Sequence, residues 1–145
     1  MNKNYIFVAA ILAVIMVVIG YLYVNKTRNN TAISSDALWQ NYTIKQVEIE
    51  GTAYNLIVAD TPERWQKGLM FVRKPVTEFD GMIFIFPTYE YHRFWNMNTF
   101  ENLTLYWMKD EEVVGKSDLP SIEKSKDIVR VSSPEAVNIV VEIIQ

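Results

Sequence analysis

The segment Gly81-Met82-Ile83-Phe84-Ile85-Phe86 decides the fold of this 145-residue chain. After the glycine every side chain is large and apolar, so both faces of an extended segment would be hydrophobic. This pattern is typical of a strand buried in the middle of a sheet. Pro87 follows directly, and because proline has no N–H to donate to a ladder, we expect the strand to end there.

Further strand patterns lie on both sides of this central segment. Upstream, two stretches with strand character flank Gly51 and predict a hairpin. Downstream, short apolar runs are separated by polar turns. The predicted flanking strands are Gln46–Glu50, Tyr54–Ala59, His92–Trp95, Leu103–Met108, 113–114, Ile128–Val131 and Val137–Ile144. We therefore predict an α+β, mainly β fold: a compact antiparallel sheet or partly open barrel of about seven strands.

One short helix is predicted between the hairpin and the central strand. Asp60 or Thr61 can cap its N-terminus, and Pro62 suits the first turn. Gly68 can adopt the left-handed conformation that ends a helix. The helix would span about two turns.

The N-terminal part of the chain has a different character. Tyr5–Val24 is a run of 20 residues without a charge, flanked by Lys3 on one side and by Lys26 and Arg28 on the other. As a helix it would span roughly 30 Å, the thickness of a bilayer core. The alternatives are a cleaved signal peptide and a buried core helix. The run is longer than a usual signal-peptide core, and no small-x-small cleavage site follows it. We predict an uncleaved signal anchor, one N-terminal transmembrane helix.

The chain then divides into four parts. Residues 1–4 are a short tail, 5–24 the transmembrane anchor, 25–37 a polar linker and 38–145 the β-rich domain. The flanking positive charges are nearly balanced, so they do not decide the orientation. A single anchor at the extreme N-terminus commonly leaves the body outside the cytoplasm. We therefore predict a single-pass membrane protein that contacts the lipid bilayer through residues 5–24, with an extracytoplasmic C-terminal domain.

The composition excludes several classes of function. The chain has no cysteine, which rules out disulfides, thiolate metal sites and a cysteine nucleophile. It has one histidine and a net charge of −3, so a histidine-rich metal site and a basic nucleic-acid-binding face are not expected. No phosphate loop, metalloprotease motif or nucleophile elbow is present. We predict no metal, no cofactor and no catalytic constellation.

The segment His92–Thr99 mixes aromatic, amide and hydroxyl side chains between two predicted strands. Such a segment can line a shallow binding site. The alternative is structural: Phe94 and Trp95 pack, and the side chains of Asn98 and Thr99 make local turn hydrogen bonds. His92 itself is expected to be solvent-exposed.

Several segments together resemble the domain of unknown function 192 family over roughly residues 44 to 144. They are 59–64 (ADTPER), 67–70 (KGLM), 81–86 (GMIFIF), Phe94-Trp95, Asn98-Thr99, Ser133-Pro134 and 137–143 (VNIVVEI). The resemblance implies a small β-rich domain with one short helix, often preceded by a signal peptide or an anchor. It does not imply an established reaction.

Two segments depart from the family pattern. The family's usual tryptophan-methionine-lysine-asparagine-threonine run is 95–99 (WNMNT) here, so the lysine is missing. Its usual proline-leucine-aspartate is 102–104 (NLT), so the acid is missing too. The matching polar and aromatic positions that remain near predicted strand ends form the candidate binding site: Arg73, Asp80, Trp95, Asn98 and Thr99.

These observations favour a membrane-tethered extracytoplasmic ligand-binding or accessory domain, whose partner is a small ligand or an envelope protein. A first alternative is a protein-interaction or structural module without a small-molecule ligand, which would use strand-edge addition or an aromatic patch. A second is an envelope hydrolase with Asp80, His92 or Glu101 as acid or base. A concave pocket that joins the candidate residues would favour ligand binding.

Overall fold

The computed structural model of the protein describes residue 39 and residues 41–145. These residues form eight strands and two short helices: β1 (Ile44–Ile49), β2 (Thr52–Ala59), α1 (Pro62–Lys67), β3 (Gly81–Glu90), β4 (Arg93–Trp95), β5 (Leu103–Lys109), β6 (Glu112–Leu119), α2 (Ile122–Ser125), β7 (Arg130–Ser132) and β8 (Val137–Ile144). None of the helices among them is both long enough and apolar enough to cross a bilayer. The predicted anchor and linker lie outside the described residues.

The main sheet is mixed, with six strands in the order β1-β2-β3-β8-β5-β6, while β4 and β7 form a separate two-stranded sheet. The expectation of a purely antiparallel sheet is wrong, because β2 and β3 pair in parallel. Helix α1 and the loop after it carry the chain from the end of β2 back to the start of β3, and such a crossover is what a parallel pair requires. The sheet is open, with β1 and β6 as its edges.

The central strand β3 is buried on both faces, as its sequence predicts. Met82 and Phe84 pack on one side of the sheet, and Ile83 packs on the other. The expectation that Pro87 ends the strand is wrong, since β3 runs on to Glu90. The pairing of β3 with β8 is irregular between Ile85 and Glu90, so Pro87 lies where the ladder needs no N–H from it.

The two faces of the sheet are covered differently. One face packs against Trp65 of α1, Phe94 of β4 and Val131 of β7, so the helix and the small sheet cover it. Within residues 41–145, the apolar cluster on the other face, which includes Tyr106 and Val141, consists of strand residues alone. Among the described residues, the first face is therefore the one that brings together side chains from helix, loop and both sheets.

Helix α1 begins and ends at the residues that the sequence predicts. Thr61 is its N-cap, with Oγ1 accepting a hydrogen bond from the Arg64 amide at 3.4 Å. Gly68 ends the helix at φ 49° and ψ −147°, a conformation that favours glycine. Its amide donates to the Arg64 carbonyl at 3.0 Å. Helix α2, which the sequence did not indicate, begins with Ser121 as N-cap in the same way.

A buried asparagine fastens α2 and β7 to β4. The side chain of Asn96 is fully buried. Its Nδ2 donates to the Pro120 carbonyl and to Ser125 Oγ, both at 2.9 Å, and its Oδ1 accepts from the Val129 amide at 2.8 Å. Each of these bonds satisfies a polar group that has little access to water.

We expect Asn96→Ala to lower the free energy of unfolding by about 2–4 kcal/mol, because it leaves several buried polar groups without partners. The matched control is Asn98→Ala, two positions along the same loop. Asn98 is exposed and has a φ of 56°, so its replacement costs only the preference of asparagine for that conformation, about 1 kcal/mol. Urea unfolding of both variants measures the difference. Equal losses would contradict the role given to Asn96.

Candidate functional site

A pocket of about 310 Å³ opens on the covered face of the sheet, where α1 ends next to β3, β4 and β8. Its lining combines aromatic and apolar side chains with about as many polar or charged ones. The residues that line it are Trp65, Gln66, Lys67, Gly68, Leu69, Met70, Phe86, His92, Arg93, Phe94, Trp95, Thr99 and Glu142. A concave site with apolar walls and polar groups that can orient a ligand is the usual form of a small-molecule site.

Aromatic rings form the wall of the pocket and continue into the core. Phe86 stacks on the His92 ring with centroids 3.8 Å apart, and it also contacts Trp65 at 5.1 Å. Phe94 meets Phe84 edge-to-face at 4.9 Å. Rings in such arrangements support one another, so the wall is held by the core of the domain.

The carboxyl group of Glu142 lies at the bottom of this arrangement. The residue is 4 % exposed and stands on β8, opposite Met82 and Leu105 of the neighbouring strands. Burial raises the pKa of this carboxyl to about 8, although a hydrogen bond from the Leu69 amide acts in the opposite direction. Within the described part of the chain, Glu142 Oε2 has no hydrogen-bond partner. At neutral pH the group is therefore mostly a protonated acid with a donor to offer.

Two glycines make room for this carboxyl and its strand. A Cβ on Gly81 would lie 1.9 Å from the Glu142 carbonyl oxygen, so β3 and β8 could not approach as they do with any other residue there. A Cβ on Gly68 would lie 3.8 Å from Glu142 Oε2 and 3.6 Å from the Phe84 ring. The absence of a side chain at Gly68 thus keeps the space beside Oε2 free.

The structure places His92 differently from the sequence expectation. The residue is half-buried and lines the pocket, whereas Tyr91 before it is 74 % exposed. Burial lowers the pKa of His92, and a hydrogen bond with the Val137 backbone opposes the shift. Its Nε2 is buried and has no partner among the described residues. Its amide donates to Ser133 Oγ at 3.1 Å and its carbonyl accepts from the Ser133 amide at 3.0 Å, which fixes the loop.

Two cationic side chains line the same pocket without neutralising the acid. The Lys67 ammonium lies 4.1 Å from the centroid of the Trp39 ring, and burial lowers its pKa. Arg93 is exposed on β4. Neither of them contributes to the pKa of Glu142, which is governed by burial and by the Leu69 amide.

Of the five candidate residues, Trp95 and Thr99 line the pocket and the other three do not. Trp95 is 42 % exposed, and Thr99 is buried with its carbonyl accepting from the Ile122 amide at 2.9 Å. Asn98 is exposed beside them, and its carbonyl accepts from the Phe71 amide at 2.9 Å.

Arg73 and Asp80 serve other parts of the surface. Arg73 forms an exposed ion pair with Glu123 at 2.9 Å and lies over the Phe100 ring at 3.8 Å. Asp80 accepts from the Asn55 amide at 2.7 Å and lines a second pocket. The two acids named with His92 for a hydrolase are also elsewhere: Asp80 is in that second pocket, and Glu101 accepts from the Lys74 amide at 2.8 Å. The carboxyl that shares a pocket with His92 is Glu142.

Glu142 is the residue that sequence reasoning missed. The signal was present, because it is the one charged residue within the apolar strand 137–144. Its neighbours on the same face, Val140 and Ile144, pack against the core, and with a period of two the acid must share their side. Among residue 39 and residues 41–145, no group of three or more acidic or histidine side chains could hold a metal ion.

The buried acid predicts a fall in stability with rising pH. The folded-state pKa of about 8 lies above the ordinary value of 4.5, so between these values the folded chain holds a proton that the unfolded chain releases. The contribution of Glu142 to the free energy of unfolding is therefore highest below pH 4.5. It falls as the pH rises from 4.5 to about 8, and it is constant above pH 8. The full effect is at most about 5 kcal/mol.

The measurement is urea unfolding across this pH range for the wild type and for Glu142→Gln. We expect the free energy of unfolding of the wild type to fall relative to that of Glu142→Gln as the pH rises from 4.5 to about 8. His92 is present in both chains, so its own titration cancels in the difference. A difference that stays constant with pH would show that the acid is ionised in the folded chain.

Two proteins of known structure have a similar fold. A protein from Sinorhizobium meliloti 1021, described as a candidate transcription regulator, aligns with a TM-score of 0.54 and 21 % identity, over 71 % of this chain and 79 % of its own. A protein of unknown function from Novosphingobium aromaticivorans aligns with a TM-score of 0.51 and 20 % identity, over 78 % and 87 % respectively. At this identity the likeness concerns the fold alone.

No curated protein matches the sequence. One family model does: DUF192, described as an uncharacterized ACR, matches residues 44–145. The match covers the whole described sheet from β1 to β8 and both sides of the pocket. The chain is therefore a member of the DUF192 family.

Proposed function

We propose that the β-rich domain binds a small organic ligand in the pocket at Glu142, and that the N-terminal anchor holds it at the outer side of a membrane. The observation that carries the ligand-binding part is the pair of buried polar atoms on one pocket. Glu142 Oε2 and His92 Nε2 both lack partners among the described residues, and both residues line the pocket. Buried polar groups are normally satisfied, so a bound molecule is the natural partner for both.

The shape and walls of the pocket support the same function. Its volume of about 310 Å³ suits a small organic molecule. Trp95 and the stacked pair of Phe86 and His92 offer ring faces to such a molecule. The membrane part of the proposal rests on the uncharged run 5–24 and the polar linker that follows it.

The exposed edge of the sheet favours one alternative, a protein-interaction module. Strand β1 is an edge strand, and its first residue, Ile44, is 50 % exposed. An unpaired edge of this kind can accept a strand from a partner. Ligand binding in the pocket and strand addition at β1 use different surfaces, so one test can separate them.

We expect a screen of sugars, nucleotides, peptides and small aromatic compounds to stabilise the full-length chain in detergent micelles. A ligand present at 100 times its Kd would add about 2.7 kcal/mol to the free energy of unfolding. For any hit, Trp95→Ala should weaken binding by about 1 kcal/mol through the loss of ring contact, whereas Tyr91→Ala should not. Tyr91 is a neighbouring exposed aromatic outside the pocket. Hits that depend equally on both residues, or a screen without hits, would favour the interaction module.

The membrane part has its own test. After washing with carbonate and ultracentrifugation, we expect the full-length chain to stay in the membrane pellet, because a bilayer-spanning helix is not extracted at high pH. Protease added to the outside of spheroplasts should remove the β-rich domain. Recovery of the intact chain in the supernatant would contradict the anchor, and protection from external protease would contradict the proposed orientation.

A further inference from the structure

We propose that the pocket is built for a neutral ring compound bearing a group that both accepts and donates a hydrogen bond, as a carboxamide or a hydroxyl does. This inference rests on the proposed ligand-binding function and specifies the ligand's chemistry. Its acceptor would meet Glu142 Oε2, and its donor would meet His92 Nε2.

The surroundings of Glu142 indicate that the ligand must bring a hydrogen-bond acceptor to Oε2. Glu142 is buried on β8 and pairs with Met82 and Leu105 of the neighbouring strands, and it has no ion pair among the described residues. The Leu69 amide donates to the carboxyl, and because Oε2 is the unpartnered atom, Oε1 is the acceptor. In this environment ionisation is costly, so the proton resides on Oε2 and Oε2 donates to a ligand.

The surroundings of His92 determine the second half. The ring lies flat on Phe86 at a centroid distance of 3.8 Å and an interplanar angle of 19°. One ring nitrogen bonds to the Val137 backbone, and since Nε2 is the unpartnered atom, Nδ1–H serves Val137. A neutral ring with its proton on Nδ1 leaves a lone pair on Nε2, so His92 accepts a hydrogen bond from the ligand.

The charges around the pocket disfavour charged ligands. A cation would be drawn to Glu142 only at the cost of ionising it in an apolar site, and it would also meet Lys67 and Arg93 on the lining. An anion could contact Lys67 and Arg93. It would also approach the Glu142 acid and the His92 lone pair, however, and it has no donor to offer to that lone pair. A neutral group with a donor and an acceptor offers a partner to each of these two atoms and separates no charge.

A series of benzene derivatives of nearly the same size tests this class directly. Benzamide and benzyl alcohol carry a neutral donor–acceptor group, benzamidine is a cation, benzoate is an anion, and ethylbenzene has no polar group. Affinities are measured by isothermal titration calorimetry on the full-length chain in detergent micelles at neutral pH. We expect benzamide or benzyl alcohol to bind about tenfold more tightly than any of the other three.

Two variants identify the atoms that make the contacts. Glu142→Gln keeps a donor without a charge, so it should retain the affinity for the tightest neutral probe within about threefold, whereas Glu142→Leu should lose about tenfold. His92→Phe keeps the ring on Phe86 but removes the acceptor, so it should weaken the neutral polar probe and leave ethylbenzene unchanged. Near-UV circular dichroism shows that each variant is folded.

The outcomes separate this inference from the proposed function. If benzamidine or benzoate binds as tightly as the neutral probes, the pocket binds ligands but the neutral class is wrong. If Glu142→Leu and His92→Phe leave all affinities unchanged, the probes bind elsewhere and the assigned contacts are wrong. If none of the probes binds and the broader screen also fails, the two polar atoms are served by water alone, and the proposed function falls together with the inference.

Discussion

The central constraint on this domain is a carboxyl group placed in an apolar core. Glu142 stands in the middle of the sheet, where one backbone amide donates to its carboxyl and no ion pair forms with it among the described residues. A glutamine or a leucine of similar size would be cheaper to bury, because neither can ionise. Glu142 lines a pocket, and its Oε2 has no partner among the described residues, so the proposed ligand would account for a cost that stability alone does not.

The pocket wall continues into the hydrophobic core, and this packing supports the side chains of the wall. The rings of Phe84, Phe86 and Phe94 pass from the centre of the sheet to the pocket wall without a break. The pairing of β3 with β8 is irregular between Ile85 and Glu90, and β3 ends two residues before His92. A site on such a support holds its polar atoms in place before a ligand arrives, which lowers the entropic cost of binding.

The sequence predicts the strands and helices better than it predicts which of them pack or pair with one another. The strand 137–144 and the capped helix after residue 60 follow from local rules, since alternation and capping act over a few residues. The parallel pairing of β2 with β3 is a property of the crossover between them, and periodicity carries no information on it. The same holds for the pocket: Trp95 and Thr99 line it together with Glu142, more than 40 positions away in the chain, because β4 packs on the face of the main sheet that carries Glu142. The sequence predicts Arg73 and Asp80 from their residue type and their position near strand ends. These two properties cannot show whether side chains meet.

The two departures from the family pattern leave this pocket intact. Met97 and Thr104 stand where the resemblance implies a lysine and an acid, and neither lines the pocket. Thr104 pairs across strands with Asp118, and its hydroxyl donates to Asp118 Oδ1 at 3.2 Å. A second carboxylate at this position would face Asp118 directly, and like charges directly opposite in a sheet destabilise it. The threonine is thus matched to an acid one strand away, and the departure leaves in place the groups at Glu142 and His92 on which the proposed ligand binding rests.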